Sequence, residues 1–598
     1  MPLARRLARP LGMWLGLLAV ACVSGCGGHD QPPRGARAGA PISPGKAGGA
    51  VTFLASGDVD HLDPGQMYYA FAYMVHYAVN RTLYAFKPSD GEHPVPDLAE
   101  AEPEVSADNR TITVRIRRGV RFAPPVDREV TSRDVKYGIE RAFTSNVPSG
   151  YATSYFSEID GAPSEPVAMA DLRSFRGLQT PDDHTLVIKL TEPVGPRVAA
   201  ALVMPITTPV PEEYASRFDR KSPSEYDRYV AFTGPYMVEH DERTGELSGH
   251  QPGKRIELVR NPNWTAKTDY RPALFDRITI HEGNNDLTVA SRRTLDGERL
   301  MCCDAAQPPT PILRRALAEH TSQLAHGPNG GTFWVALNTA IKPLDNLNVR
   351  KAILAGVDRT ALRQTVGGPA VGAIAQHFLP PGIPGYDESG GRRGFMAFDW
   401  MRAPGGDAGV AARYLTAAGE QGVPVRDGRY AGTDKVLTIA ANAGSAVKTA
   451  QVLQAELAKL GIQLKLRLVP PDTMFTKFCG VPKAQVAICP NVGWFRDFVD
   501  PQSLLEPTFA GRAIRPAGNV NWSQLDDAAI DGAMSKAALR ADGNGRSQAW
   551  ADVNRDIVAQ APAIPYLWGD NFQLQSSDLA GVMNAYFGTW DLSFSGLK

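Results

Sequence analysis

Residues 445–468 read SAVKTAQVLQAELAKLGIQLKLRL, and two periods follow one another within them. Val447, Leu453, Leu457 and Leu460 recur at the spacing of one helix face, with Ser445 placed to cap its start. Gly461 ends that pattern, because a left-handed residue commonly closes a helix. Ile462, Leu464, Leu466 and Leu468 then alternate with Gln463, Lys465 and Arg467, the two-residue period of a half-buried strand. A helix running straight into a strand predicts an α/β layer.

The same mixture continues outward in both directions. In TITVRIR (111–117), Ile112, Val114 and Ile116 alternate with polar neighbours, as in a strand. Thr131 and Asp134 form a capping-box pattern that opens a helix with Val135, Ile139 and Phe143 on one face. Leu186, Ile188 and Leu190 alternate, as do Ile256 and Leu258. Residues 348–362 read as a helix carrying Ile353 and Val357, with Asp358 placed to cap a second short one. No short repeat interrupts the pattern, so the body is an α/β fold throughout.

At 598 residues and 64.5 kDa the chain is too long for one core and is divided among several domains. Its 63 Lys and Arg balance 63 Asp and Glu, which argues against nucleic acid as the main partner. Hydrophobic residues at 43% and charged residues at 21% are ordinary for a folded protein. Beyond residue 25 no apolar run approaches 18 residues, which excludes a multi-span membrane protein.

The first residues read as an address. Arg5, Arg6 and Arg9 precede a 13-residue apolar run at 11–23, which suits a signal peptide over 1–25. Val23-Ser24-Gly25-Cys26 resembles a bacterial lipoprotein box, with Cys26 the residue that takes the lipid. A plain cleaved signal peptide is the alternative. Residues 26–48, rich in Gly, Pro and Ala, read as a flexible tether to a body that starts at about 49. The expected location is the outer face of the cell membrane, in a compartment that permits disulfides. Cys479 and Cys489 are ten apart and form a candidate bridge, while the pairing of adjacent Cys302 and Cys303 stays open. None has the CxxC spacing of a zinc site, so no metal is expected.

Signatures of catalysis are missing. No GxSxG elbow, GxxxxGK[ST] loop or HExxH helix occurs, so a non-enzyme needing no cofactor is expected; triads can assemble from distant positions, and an extracellular hydrolase is the competing reading. One segment stands apart: GWFRDFVDP at 493–501 sets Asp497 and Asp500 among Trp494, Phe495 and Phe498. Aromatic faces with a carboxylate in a cleft suit an organic cation. The competing reading is an Asp-Pro turn with core aromatics.

Motifs through most of the body resemble one family, in that family's order. They are HLDPGQ (61–66), Leu83-Tyr84, PDLAEAEPEVSADNRTITVRIRRGVRF (96–122), TSRDVKYGIERAF (131–143), FTGPYMVEH (232–240), IELVRNPNW (256–264), VALNTAIKPLDNLNVRKAILAGVDR (335–359), LPPGIPGY (379–386) and the 493–501 segment. The chain thereby resembles the bacterial extracellular solute-binding proteins of the peptide/nickel class, which serve ABC importers. It departs from the family's pattern at Pro124-Pro125, at Cys302-Cys303 and loosely over 91–94.

The resemblance implies a two-lobed periplasmic-binding-protein-like fold with a hinge, a cleft between the lobes and an extra domain inserted in the first lobe. The implied layout is a first lobe from 49–86, 204–305 and 566–598, an inserted domain at 87–203 and a second lobe at 306–565. It implies capture of di- to oligopeptides and delivery to ABC permease subunits, by a monomer anchored through Cys26. Asp497 is the position matching the family's aspartate for a peptide α-ammonium, with Trp494, Phe495 and Phe498 beside it. Asp500 is expected to cap the turn at Pro501. A first-lobe contact is expected near 60–66 or 67–69. The same fold also carries nickel chelates, haem, oligosaccharides and opines, and adhesion or signalling is a further alternative. No histidine follows His377, which ranks nickel low.

Overall fold

The computed structural model describes residues 36–37 and 45–598 apart from 305–306, 443–444, 517 and 541–542. The expected signal peptide over 1–25 and the expected lipid site Cys26 lie outside the described residues, as does most of 26–48. Ala36–Arg37 pairs in parallel with residues 325–326, and Lys46 pairs with Leu597. Among the described residues no helix is long and apolar enough to cross a membrane.

The helix and strand read from 445–468 occupy Ala446–Lys459 and Leu464–Val469. Leu453 and Leu457 are fully buried, and Gly461 has φ +87° where a Cβ would meet the Tyr430 carbonyl oxygen. The Leu464–Val469 strand runs parallel to Val436–Ala441, so the three elements form a crossover unit. Two expectations differ. Ser445 makes no side-chain capping hydrogen bond, and Leu468 is 43% exposed. The strand is the outermost of its sheet, so its alternation is covered by packing only in part.

Elsewhere the local reading carries into structure. Ile112, Val114 and Ile116 are fully buried in and beside the Thr111–Arg115 strand. The Asp134 carboxylate accepts the Thr131 backbone N–H at 2.7 Å, at the head of the Ser132–Arg141 helix. Asp358 accepts from Thr360 and Ala361 at the head of Arg359–Thr365.

A long mixed sheet passes through the whole molecule. At one end Ala50–Leu54 lies between Arg277–His281 and Leu300–Cys302, parallel to both. At the other end Ile488–Phe495 lies antiparallel to Leu324–Leu337 and beside Val436–Ala441. Two long antiparallel strands, Leu324–Leu337 and Ala563–Gln575, join the ends. Their register breaks between Pro328 and Thr332, around Gly330 at φ +69°. The break divides the strands into two segments.

Hydrophobic packing runs across that break, since one core holds Leu324 and Leu574 on one side of it and Trp334 and Leu567 on the other. This core draws on residues between 295 and 574, and a second on 51–79, 210–301 and 579–592. A third surrounds a four-stranded antiparallel sheet formed by Glu104–Val105, Thr111–Arg115, Thr185–Lys189 and Leu178–Asp182. Fully buried Arg141 binds Asp63 and Asp219, joining the second core to the third. Arg271 and Arg81 share Asp97 in the same manner.

Candidate functional site

Ile488–Phe495 carries the aromatic–acidic segment to the point where the cores meet. Trp494 faces Thr332 in the sheet register, and its indole N–H donates to the Ser503 carbonyl at 2.9 Å. Cys479 and Cys489 are disulfide-bonded, with Cα atoms 6.1 Å apart, and so tie the Met474–Cys479 turn to this strand. Cys302 and Cys303 are bonded to each other at the end of the Leu300–Cys302 strand.

Asp497 follows directly. Its carboxylate accepts the Tyr155 hydroxyl, and its backbone carbonyl accepts the Tyr586 hydroxyl. Tyr68, Tyr73 and Tyr151 also feel its charge. Among the described residues no basic side chain forms an ion pair with it. Burial therefore pushes its carboxyl up to about 7, while the Tyr155 hydrogen bond works the other way. The surrounding tyrosine hydroxyls are themselves held above their ordinary range, chiefly by burial.

The rings fall into two contacting groups. Tyr68 stacks on Tyr151 at 5.3 Å between centroids and meets Trp494 at 6.1 Å. Tyr68 keeps 37% of its surface exposed although its hydroxyl lies deep, the signature of a side chain lining a concave cleft. Phe495 is 43% exposed and meets Phe333 edge-on at 5.6 Å. Phe498 is fully buried, supporting Tyr155 from below with an edge contact at 5.0 Å. It has no surface of its own to offer a ligand.

The neighbouring charges are occupied. Asp500 accepts the Gln502 backbone N–H at 2.8 Å and pairs with Arg546 at 2.7 Å, which makes it part of the turn at Pro501. Arg496 donates to the carbonyls of Ala585 and Tyr586, linking this strand to the chain's last segment. Its guanidinium lies 5.0 Å from the Tyr586 ring centroid. Of the stretches 60–66 and 67–69, where a further contact is expected, Asp63 and Gln66 belong to the buried Arg141 network, whereas Tyr68 reaches Trp494. His377 is fully buried, with Nε2 at 3.1 Å from the Gly391 carbonyl oxygen, and burial lowers its pKa to about 3. Among the described residues no group of three metal-ligating side chains is gathered.

Sequence reasoning missed Tyr73, Tyr151, Tyr155 and Tyr586. A signal existed for two of them. Tyr151 and Tyr155 in YATSYF stand four apart, one helical turn, and their rings stack at 6.3 Å. Such an arrangement, a desolvated carboxylate among aromatic faces, suits a ligand ammonium: the charge pairs with Asp497 and the rings supply apolar area and cation–π attraction.

Comparison with known proteins gives a consistent picture. Residues 93–515 match the family model described as bacterial extracellular solute-binding proteins, family 5 Middle. The oligopeptide-binding protein OppA of Bacillus subtilis is 23% identical over 512 residues, covering 83% of this chain and 86% of that protein. A dipeptide-binding protein of Pseudomonas aeruginosa is 24% identical over 514 residues, covering 83% and 86%. The solved structure of clavulanic acid biosynthesis oligopeptide binding protein 2 superposes with a TM-score of 0.80 at 26% identity, covering 95% of this chain and 99% of that one.

Proposed function

We propose, from the premise that this chain belongs to the bacterial extracellular solute-binding proteins of family 5, that its cleft captures peptides by their free amino terminus. The observation that carries the proposal is Asp497, enclosed by tyrosines and, among the described residues, without a basic partner. A carboxyl in that state gains most from an incoming ammonium, which restores the pairing that burial otherwise denies it. Trp494 and the exposed face of Phe495 flank the ligand, while Phe498 acts indirectly by holding Tyr155. The peptide's remaining length is held through its backbone, in a manner tolerant of side chains. The names of the oligopeptide- and dipeptide-binding relatives agree with this ligand class.

The wider reading follows the layout expected of the family. Residues 49–86, 204–305 and 566–598 make the first lobe, 87–203 an inserted domain and 306–565 the second lobe; the core around the four-stranded sheet, drawn mostly from 98–206, supports the inserted domain. The lobes close about the crossing at Gly330, a hinge motion that ligand favours by its greater affinity for the closed state. The protein works as a monomer, held to the outer face of the membrane by lipid on Cys26 and handing its ligand to the permease of an ABC importer.

A thermal-shift screen of the body after Cys26 tests the ligand class. A pool of di- to octapeptides should raise the melting temperature, because a ligand that binds only the native state stabilises it by mass action. The same pool N-acetylated should leave it unchanged. Equal shifts from both pools would remove the amine anchor.

A further inference from the structure

Four rings beside Asp497 form a row that the amine anchor does not use in full. Tyr68 and Trp494 have centroids 6.1 Å apart, Trp494 and Trp522 6.3 Å, and Trp522 and Phe475 5.8 Å. The two ends are accessible, Tyr68 at 37% and Phe475 at 38% exposure. Trp522, at 7%, lies in the middle and packs against Trp334 behind it. The row is therefore anchored at its buried middle and keeps apolar surface at both ends.

Phe475 is held in place despite its exposure. It sits on the Met474–Cys479 turn, which the Cys479–Cys489 disulfide ties to the strand bearing Trp494. Its carbonyl accepts the Gly480 N–H at 3.0 Å, and a Cβ at position 480 would crowd that same oxygen. An exposed phenylalanine leaves apolar area in water, a free-energy loss that a ligand can recover. The cation that Asp497 calls for and the apolar surface of this row stand side by side, since Trp494 is only three residues from Asp497. A chain extended from the ammonium advances about 3.3 Å per residue, so side chains of its first few residues come within reach of the rings.

We infer that Tyr68, Trp494, Trp522 and Phe475 form a side-chain subsite that makes the cleft prefer peptides with a large apolar residue near the amino terminus. The inference rests on the amine-anchor reading above and adds a selectivity that backbone capture alone does not give.

Calorimetric titration of tetra-alanine, and of the two tetrapeptides with phenylalanine at the second or third place, tests it. Wild-type protein should bind at least one phenylalanine peptide about tenfold to hundredfold more tightly than tetra-alanine, the range expected for burying one such ring. Phe475→Ala should cut that ratio to about threefold or less while tetra-alanine affinity stays as it was. Equal affinities in the wild type overturn the subsite, as does a preference that survives Phe475→Ala or a variant that weakens all three peptides alike. Asp497→Asn separates the two readings. If it abolishes binding of all three peptides but the wild type shows no preference among them, the anchor stands and the subsite falls. If no free-amine tetrapeptide binds the wild type, the anchor falls and the subsite with it.

Discussion

Replacing Asp497 with asparagine should have two opposite effects, and both can be sized from the structure. The carboxyl is held up to about 7 by burial, against an ordinary 3.8. A rise of that size corresponds to about 4 kcal/mol between its two protonation states. In the folded protein the group stays neutral until about pH 7, whereas in the unfolded chain it ionises above 3.8. Wild-type stability is therefore lost as pH rises through that window and levels off above it. Asparagine keeps the shape and does not titrate. The unliganded variant should be the more stable, and its advantage should be about 2–3 kcal/mol larger at pH 8 than at pH 5. The tyrosines facing Asp497 (68, 73, 151, 155 and 586) are all held above their ordinary range, so none titrates between those values. Peptide binding should move the other way, by about 3–5 kcal/mol, or two to four orders of magnitude in affinity. Denaturant titrations of both proteins at the two pH values, with calorimetry of a free-amine peptide at pH 8, measure both effects. An advantage that is the same at pH 5 and pH 8 refutes the buried-carboxyl argument, and unchanged affinity refutes the anchor.

Tyr155→Phe removes the hydrogen bond that favours the ionised Asp497, so the pH at which peptide affinity is half-maximal should move upward; titrations from pH 6 to 9 would expose an unmoved midpoint. Gly330→Val puts a branched side chain at φ +69°, where a Cβ would lie 2.7 Å from Arg496 Nε. It should cost about 1–3 kcal/mol and impair lobe closure, read as a lower melting temperature and a smaller ligand-induced change in radius of gyration. Arg141→Met leaves Asp63 and Asp219 buried without their shared cation. A stability loss of about 3–5 kcal/mol should follow, read by denaturant titration, and an unchanged stability would contradict the ion-pair account.

Much of the local architecture was legible because its causes are local. The strand over 111–117, the Thr131–Asp134 capping box and the Asp358 cap each depend on residues within a few positions of one another, and each appears as read. The 445–468 stretch gave the α/β class for the same reason, since a change of period is visible in one window. It could not reveal that Leu468 stays exposed, because exposure depends on whether a further strand covers the sheet edge.

The site divides along the same line. Asp497 and Trp494 were picked out by their neighbours in one nine-residue segment. The environment of Asp497 could not be, because its tyrosines come from positions 68, 73, 151, 155 and 586. Only the packing of three cores and the crossing of two long strands brings residues so far apart in sequence around one carboxylate. By itself the sequence determined the periods, the caps and the candidate acid, all properties of neighbours along the chain. The tertiary structure alone decided that the acid is buried among rings and, among the described residues, lacks a basic partner, because desolvation is a property of everything that surrounds a group in space.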